Sequence, residues 1–193
     1  MFTESTIQKP LLELRHDYQL CNSYVFGWES DYFGLTKSGY AIEIEIKISL
    51  SDFRADFKKQ EKHIQLQNPA GWYQSWRSES VSKCGIHEGK YFYGAECCQV
   101  RFKKRFAPNR FYYCVPDYLV DKIELPIYAG LYVVSVDTRY VNSLKVEKVK
   151  EAPLLHKTKH DLRDTLLDKF YWLSINQRQL INSMKKEINT LHF

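Results

Sequence analysis

From Tyr40 to Ile48 the chain alternates without a break, with Ile42, Ile44, Ile46 and Ile48 set against Glu43, Glu45 and Lys47. Period two is the period of a strand, so this segment predicts one apolar and one charged face. Directly after it, Ser49 and Asp52 have capping spacing and Phe53 and Phe57 stand four apart, which predicts a helix over Asp52 to His63. Upstream, the aromatic and β-branched content of Ser23 to Phe33 predicts one or two strands. Nearer the start, Ile7, Leu11 and Leu14 fall at helical spacing, with Ser5 or Thr6 as N-cap and Pro10 expected in the first turn. Downstream, Arg110 to Val115 and Gly130 to Val136 read as buried strands joined through a loop or short helix at Pro116 to Pro126. Leu144 to Val149 alternates as an edge strand. His160 to Leu191 predicts a long amphipathic helix with Leu162, Leu166, Phe170, Leu173, Leu180 and Met184 as a core-facing stripe. The order is helix, strands, helix, insertion, strands, helix, an α/β pattern with no internal repeat.

Composition narrows this further. With 193 residues, 44% hydrophobic, and only 8 Gly and 6 Pro, the chain reads as one packed domain over 1–193, with a C-terminal helical extension at 156–193. No stretch reaches 18 apolar residues and the N-terminus lacks the basic and apolar regions of a signal peptide, so a cytoplasmic protein without a membrane partner is expected. The five cysteines are odd in number and irregularly spaced, which favours reduced thiols, with Cys21 and Cys114 as small core residues. The net charge of +5 is concentrated in residues 64–107, which hold seven basic and three acidic residues and eight aromatics. That stretch, without sustained periodicity, reads as an inserted segment of short strands; the remainder is about neutral.

The strand at Tyr40 also carries the candidate chemistry. Lys37, Ser38 and Gly39 form a natural three-residue hairpin loop that pairs Thr36 with Tyr40, so partner numbers sum to 76. Asp31 then lies opposite Glu45, and Glu29 opposite Lys47, on the charged face. A solvated outer sheet face would also explain this alternation. Two facing carboxylates repel unless a cation sits between them or one holds a proton. Hard oxygen ligands with open positions suit Mg²⁺ or Mn²⁺, and Lys47 beside them would orient or help deprotonate an attacking water, a set suited to phosphodiester hydrolysis.

An Asp, a turn, then Glu-x-Lys on the next strand followed at once by a helix resembles the PD-(D/E)XK, or restriction-endonuclease-like, nuclease superfamily. Asp31, Glu45 and Lys47 occupy its three motif positions. The surrounding text, Trp28 with Glu29, then TKSGY (Thr36 to Tyr40), EIEIKIS (Glu43 to Ser49), SDFRADFKK (Ser51 to Lys59), Lys62 and His63, PNRFYYCVP (Pro108 to Pro116) and YAGLYV (Tyr128 to Val133), is similar to the MmcB-like branch of DNA-repair, phage and mobile-element proteins. It covers about residues 20–136, interrupted by the insertion. The resemblance implies a central mixed sheet with flanking helices, a Mg²⁺-dependent nuclease site acting on DNA, and no organic cofactor. Ser30 stands where the superfamily commonly has Pro. Inactive relatives share this fold, so a binding module for nucleic acid or protein is the alternative.

Other residues have two readings each. Glu43 shares the face of Glu45, and Glu13 on the first helix is either an extra acidic ligand or a surface residue. Lys58, Lys59, Lys62 and His63 suit phosphate contact or a solvated helix face. Arg101, Lys103, Lys104 and Arg105, interleaved with Phe102 and Phe106, suit backbone phosphates and base stacking or a charged edge strand. Cys84, His87, Cys97 and Cys98 match no common zinc spacing, so reduced or buried thiols are expected there. The long terminal helix offers a route to a homodimer.

Overall fold

A computed structural model describes residues 2–69, 72–80, 85–87, 90–92, 96–104, 107–140 and 143–191, with side chains described outside 70–106 and up to 185. Its frame is a six-stranded mixed sheet in the order β1 (Tyr18–Tyr24), β2 (Glu29–Leu35), β3 (Ala41–Ile46), β8 (Arg110–Pro116), β9 (Ala129–Asp137), β10 (Ser143–Lys150). β1, β2 and β3 form an antiparallel meander, β8 and β9 run parallel to β3, and β10 closes the far edge antiparallel. Within the insertion, β4 (Trp72–Ser80) pairs with β7 (Glu96–Lys104), and β5 (Gly85–His87) with β6 (Lys90–Phe92), both antiparallel. Of the short strands expected there, β5 and β6 have three residues each, whereas β4 and β7 run nine residues each.

Each face of the sheet is covered. On one, α1 (Glu4–Leu12) buries Ile7 and Leu11 against Tyr32, Ile44, Ile46, Tyr112 and Val134. On the other, α2 (Leu50–Asp56), α3 (Gln60–Gln67) and a 3-10 helix (Asp117–Lys122) bury Phe53, Leu66 and Leu119 against Phe111, Tyr113 and Leu131. Large side chains buried this fully contribute about 1.5 to 3 kcal/mol each, so the two clusters fix the layers. The isoleucines pack as the alternation predicts, Ile44 and Ile46 buried and Ile42 and Ile48 at the rim.

The hairpin register agrees with expectation. Tyr32 faces Ile44 and Phe33 faces Glu43, Thr36 donates its N–H to Tyr40 O at 3.0 Å, and Gly39 takes the left-handed conformation (φ +87°) that the loop requires. Four expectations need correction. Thr3, not Ser5 or Thr6, caps α1, and Pro10 sits well past its first turn. Because α1 ends at Leu12, the bond lost at Pro10 interrupts little remaining helix.

The single helix predicted over Asp52 to His63 is two. Lys59 leaves helical geometry (ψ +64°), and Lys58 and Lys59 N–H donate to carbonyls three residues back, ending α2 in a tight turn. His63 Nε2 then lies 2.9 Å from the Asp56 carbonyl oxygen. The core-facing stripe of the terminal helix, α4 (Arg163–Leu191), is also corrected. Leu162, just before it, and Leu166 are buried against Leu20, Phe26 and Phe33, whereas Phe170, Leu173, Leu180 and Met184 are exposed.

Candidate active site

Alternation puts Glu43 and Glu45 on the face of β3 that α2 and α3 cover, and Lys47 follows directly from the strand. The solvated-face reading is thereby overturned: Glu43, Glu45 and Lys47 are 0%, 1% and 6% exposed. A charge so deep must be paired or lose its charge. Glu45 is paired on both oxygens, Oε1 accepting from Lys47 Nζ at 2.9 Å and Lys59 Nζ at 3.1 Å, and Oε2 from Lys62 Nζ at 2.7 Å.

The same three ammonium groups meet Asp56, at the end of α2, at 3.8, 3.1 and 3.5 Å. Tyr113 OH donates to Asp56 Oδ2 at 2.8 Å, and Lys47 also lies 3.6 Å from Asp52. Burial works to raise the Asp56 pKa but is outweighed by the His63 hydrogen bond, the charges of Lys62 and Lys47, and Tyr113, which hold the carboxyl well below the ordinary range. Lys47 behaves likewise: burial opposes its charge, but Glu45, Asp56 and Asp52 prevail and raise its pKa. As an ammonium it can orient and neutralise.

Asp31 completes the motif. Continuing the β2–β3 register one step past Tyr32 and Ile44 sets it across from Glu45, and its Oδ2 accepts from Ile46 N–H at 2.6 Å. Burial, then the Glu45 charge, push its pKa up to about 7, against the Ile46 hydrogen bond and Lys47. Two carboxylates therefore face one another with their repulsion only partly relieved. Glu29 is exposed and accepts from Tyr24 OH at 3.3 Å; no ion pair to Lys47 forms.

Glu43 differs from its neighbours. Its Oε1 accepts from Trp28 Nε1 at 2.6 Å, no lysine bonds it directly, and burial raises its pKa to about 8 despite Lys62. Such a carboxyl binds its proton more tightly folded than unfolded, so its stabilising effect is full at acid pH and fades as pH rises toward 8. Wild-type stability should therefore fall between about pH 5 and 8, with Asp31 adding to the slope. Glu43→Gln, which keeps an acceptor for Trp28, should flatten that slope in urea midpoints; an unchanged slope would contradict a protonated Glu43.

The remaining candidates divide. Lys59 is half exposed, Lys58 lies on the surface, and Lys62 is buried inside the cluster. His63 is not a surface group: it is buried, its Nδ1 2.6 Å from Tyr128 OH and its ring stacked on Phe57 at 4.9 Å. Helix α3 turns it inward because the chain breaks at Lys59. Glu13 is exposed at the C-cap of α1, which covers the opposite face, so it adds no oxygen to this cluster. Cys114 is buried and Cys21 partly so, as expected. Arg101, Lys103 and Lys104 lie on β7 and His87 on β5, while Cys84 and Arg105 lie outside the described residues. The side chains of these six, and of Cys97 and Cys98, are likewise outside what is described.

Sequence reasoning missed Asp56, Tyr113, Tyr128 and the role of Trp28. Asp52, Asp56, Lys59 and Lys62 follow at spacings of four, three and three, which would have flagged one charged helical face. Tyr113 and Tyr128 gave no signal beyond being aromatic.

A hard divalent cation fits the donor types: Asp31 and Glu45 supply oxygen alone, and burial together with the Glu45 charge raises the Asp31 pKa. The half-exposed Lys59 is the ammonium most easily withdrawn from Glu45. Among the described residues no group of three or more His, Cys, Asp or Glu is positioned as a ready-made metal cage, so remaining ligands would be water or substrate.

The fold and cluster define an α/β protein with a buried carboxylate–lysine site at the carboxyl end of a central strand. Comparison with known families finds no matching family, and comparison with curated proteins finds no match. Among solved structures the chain is similar to SPO1766, a protein of unknown function from Silicibacter pomeroyi, at 17% identity and a TM-score of 0.53, over 94% of this chain and 92% of that one. The similarity concerns the fold. Among the described residues, no helix is long and apolar enough to cross a membrane.

Proposed function

We propose that this chain is a Mg²⁺- or Mn²⁺-dependent DNA nuclease with the PD-(D/E)XK arrangement on a restriction-endonuclease-like fold, acting in DNA repair or in phage or mobile-element DNA processing. The observation that carries the reading is the meeting of Asp31, Glu45 and Lys47 from two adjacent strands, with Asp31 and Glu45 in repulsive electrostatic contact and Lys47 at 2.9 Å from Glu45. Asp31 and Glu45 would hold the metal, which when bound supplies a polarised phosphate and an activated water. Lys47, fixed as a cation by Glu45, Asp56 and Asp52, offsets negative charge gathering at phosphorus. Lys62 and Asp56 hold Glu45 in place from behind, and Tyr113 holds Asp56. Lys58 and Lys59, in the turn between α2 and α3, would meet backbone phosphates.

Incubating the protein with single-stranded, duplex and flap DNA tests the reading: cleavage that appears with Mg²⁺ or Mn²⁺ and stops with chelator supports it, and intact DNA on every substrate and both metals opposes it. One observation favours a second reading, a non-catalytic binding module. The carboxylates of Glu45 and Asp56 are already neutralised by three lysines, so that part of the site is satisfied without metal. Metal-independent DNA binding without cleavage would select it.

In either case the basic insertion is assigned to the DNA. Replacing Arg101, Lys103, Lys104 and Arg105 together with Ala should reduce the slope of log K against log salt by about 3, since each phosphate contact contributes roughly 0.7 to 0.9. An unchanged slope would remove the insertion from the interface.

A further inference from the structure

Asp31 and Glu45 would have to face each other to share a cation, yet their repulsion favours Asp31 turning away. What holds Asp31 lies on its other side. β1 pairs with β2 at Cys21–Tyr32 and at Ser23–Ser30, and the pair between them, Asn22 with Asp31, is missing. At that step Asn22 takes φ +50°, one of two non-glycine residues with positive φ among the described residues. Left-handed backbone departs from a regular ladder, and Asn tolerates it better than most residues that carry a side chain. The ladder therefore opens at Asp31.

A helix residue fills the gap. Gln8 of α1 donates from Nε2 to the carbonyl oxygen of Asp31 at 3.1 Å and to Asn22 Oδ1. Glu4 Oε1, one turn earlier, accepts from the same nitrogen at 3.2 Å. Three oxygens around Nε2 fix which end of the amide faces the strand. On the far side, Asp31 Oδ2 accepts from Ile46 N–H at 2.6 Å. Asp31 is thus tied to α1 through its carbonyl and to β3 through its carboxylate. Asn22 is exposed, so core packing does not require its conformation. Backbone strain kept at one step, across from a candidate functional carboxylate, points to a role in placing that carboxylate.

We propose that Gln8 and Asn22 are positioning residues for Asp31: the left-handed Asn22 releases the Asp31 carbonyl from β1, Gln8 takes it up, and the carboxylate is kept turned toward Glu45. They act through Asp31 alone. The purpose of the clamp rests on the nuclease reading, in which Asp31 is a metal ligand.

Two readouts on the full chain test it. The first is amide hydrogen exchange in metal-free protein. Ile46 N–H is bonded on the β2 side by Asp31, whereas Lys47 N–H donates to Cys114 O at 2.9 Å on the β8 side. Gln8→Leu keeps the bulk and removes the donor. It should speed exchange at Ile46 by about fivefold, the effect of losing one neutral hydrogen bond, and leave Lys47 unchanged because the loosening is local. The second readout is Mn²⁺ affinity, from the electron paramagnetic resonance signal of the free ion. Gln8→Leu and Asn22→Val, whose β-branched side chain resists positive φ, should each bind Mn²⁺ about tenfold more weakly, as for residues that orient a metal ligand. Asn22→Gly, which permits the same backbone, should stay within about threefold of wild type.

Ile46 exchange or Mn²⁺ affinity unchanged in Gln8→Leu, Ile46 and Lys47 accelerating together, or Asn22→Gly as weak as Asn22→Val would overturn the proposal. So would a wild type that binds no Mn²⁺, which ends the nuclease reading as well. Failure of the nuclease reading alone looks different: exchange and Mn²⁺ affinity respond as stated while every DNA stays intact.

Discussion

Asp56→Ala is expected to lower stability by about 3 to 5 kcal/mol, the cost of leaving a buried charge without its partner. Asp56 has a fully buried side chain that receives Lys59 at 3.1 Å, Lys62 at 3.5 Å and Tyr113 at 2.8 Å. Lys62 is 1% exposed, so after truncation Lys59 and Lys62 are left with the carboxylate of Glu45, which Lys47 also uses, and the Tyr113 hydroxyl loses its acceptor. For a chain of this length the loss corresponds to a fall of about 10 °C in Tm. Lys59→Ala is the control. It removes an ion pair from the same carboxylates, but the ammonium is half exposed, so the change should stay near or below about 1 kcal/mol.

Acid should reproduce the Asp56 effect. Its folded pKa lies well below the unfolded value, so its contribution is complete above about pH 4 and is lost as pH falls further. Chemical denaturation of both variants between pH 3 and 7 checks these statements together. If Asp56→Ala and Lys59→Ala cost the same small amount, the buried network contributes little to the fold.

Much of the site was legible because strand geometry has period two. Once Gly39 set the loop, the four pairs from Tyr32–Ile44 to Leu35–Ala41 followed, and continuing them one step sets Asp31 across from Glu45. Burial was not legible from that alternation. Glu43, Glu45 and Lys47 look the same in sequence whether water or α3 covers them, and only the chain break at Lys59 decides the matter by folding α3 back over β3. The break also turned Lys62 and His63 inward, where the unbroken helix expected at Asp52 to His63 had left them on a surface. Helical spacing in α4 was read correctly but its direction was not, since an apolar stripe does not say whether the body of the protein or something else receives it. The succession of helices and strands and the terminal helix emerged from the hydrophobic pattern, whereas the central mixed sheet with flanking helices was an expectation of the family resemblance.

The largest functional effect is expected at Lys47. Its ammonium lies among Glu45, Asp52 and Asp56, so on the proposed nuclease reading Lys47→Ala removes a fixed positive charge where negative charge would gather at phosphorus. Removing one preorganised electrostatic contact of this kind costs about 10²- to 10³-fold in rate. Asp31→Asn keeps an acceptor for Ile46 N–H while removing the charge that faces Glu45, so it should weaken metal binding without loosening the strand. The most direct measurement is the initial rate of DNA cleavage across a Mn²⁺ titration reaching and exceeding wild-type saturation for wild type, Lys47→Ala and Asp31→Asn, with folding verified by circular dichroism. A metal-dependent wild-type rate that falls at least a hundredfold in Lys47→Ala, together with an Asp31→Asn rate that recovers only as Mn²⁺ is raised, is the predicted result; folded variants that cleave as fast as wild type, or a wild type that cleaves nothing, would contradict the account.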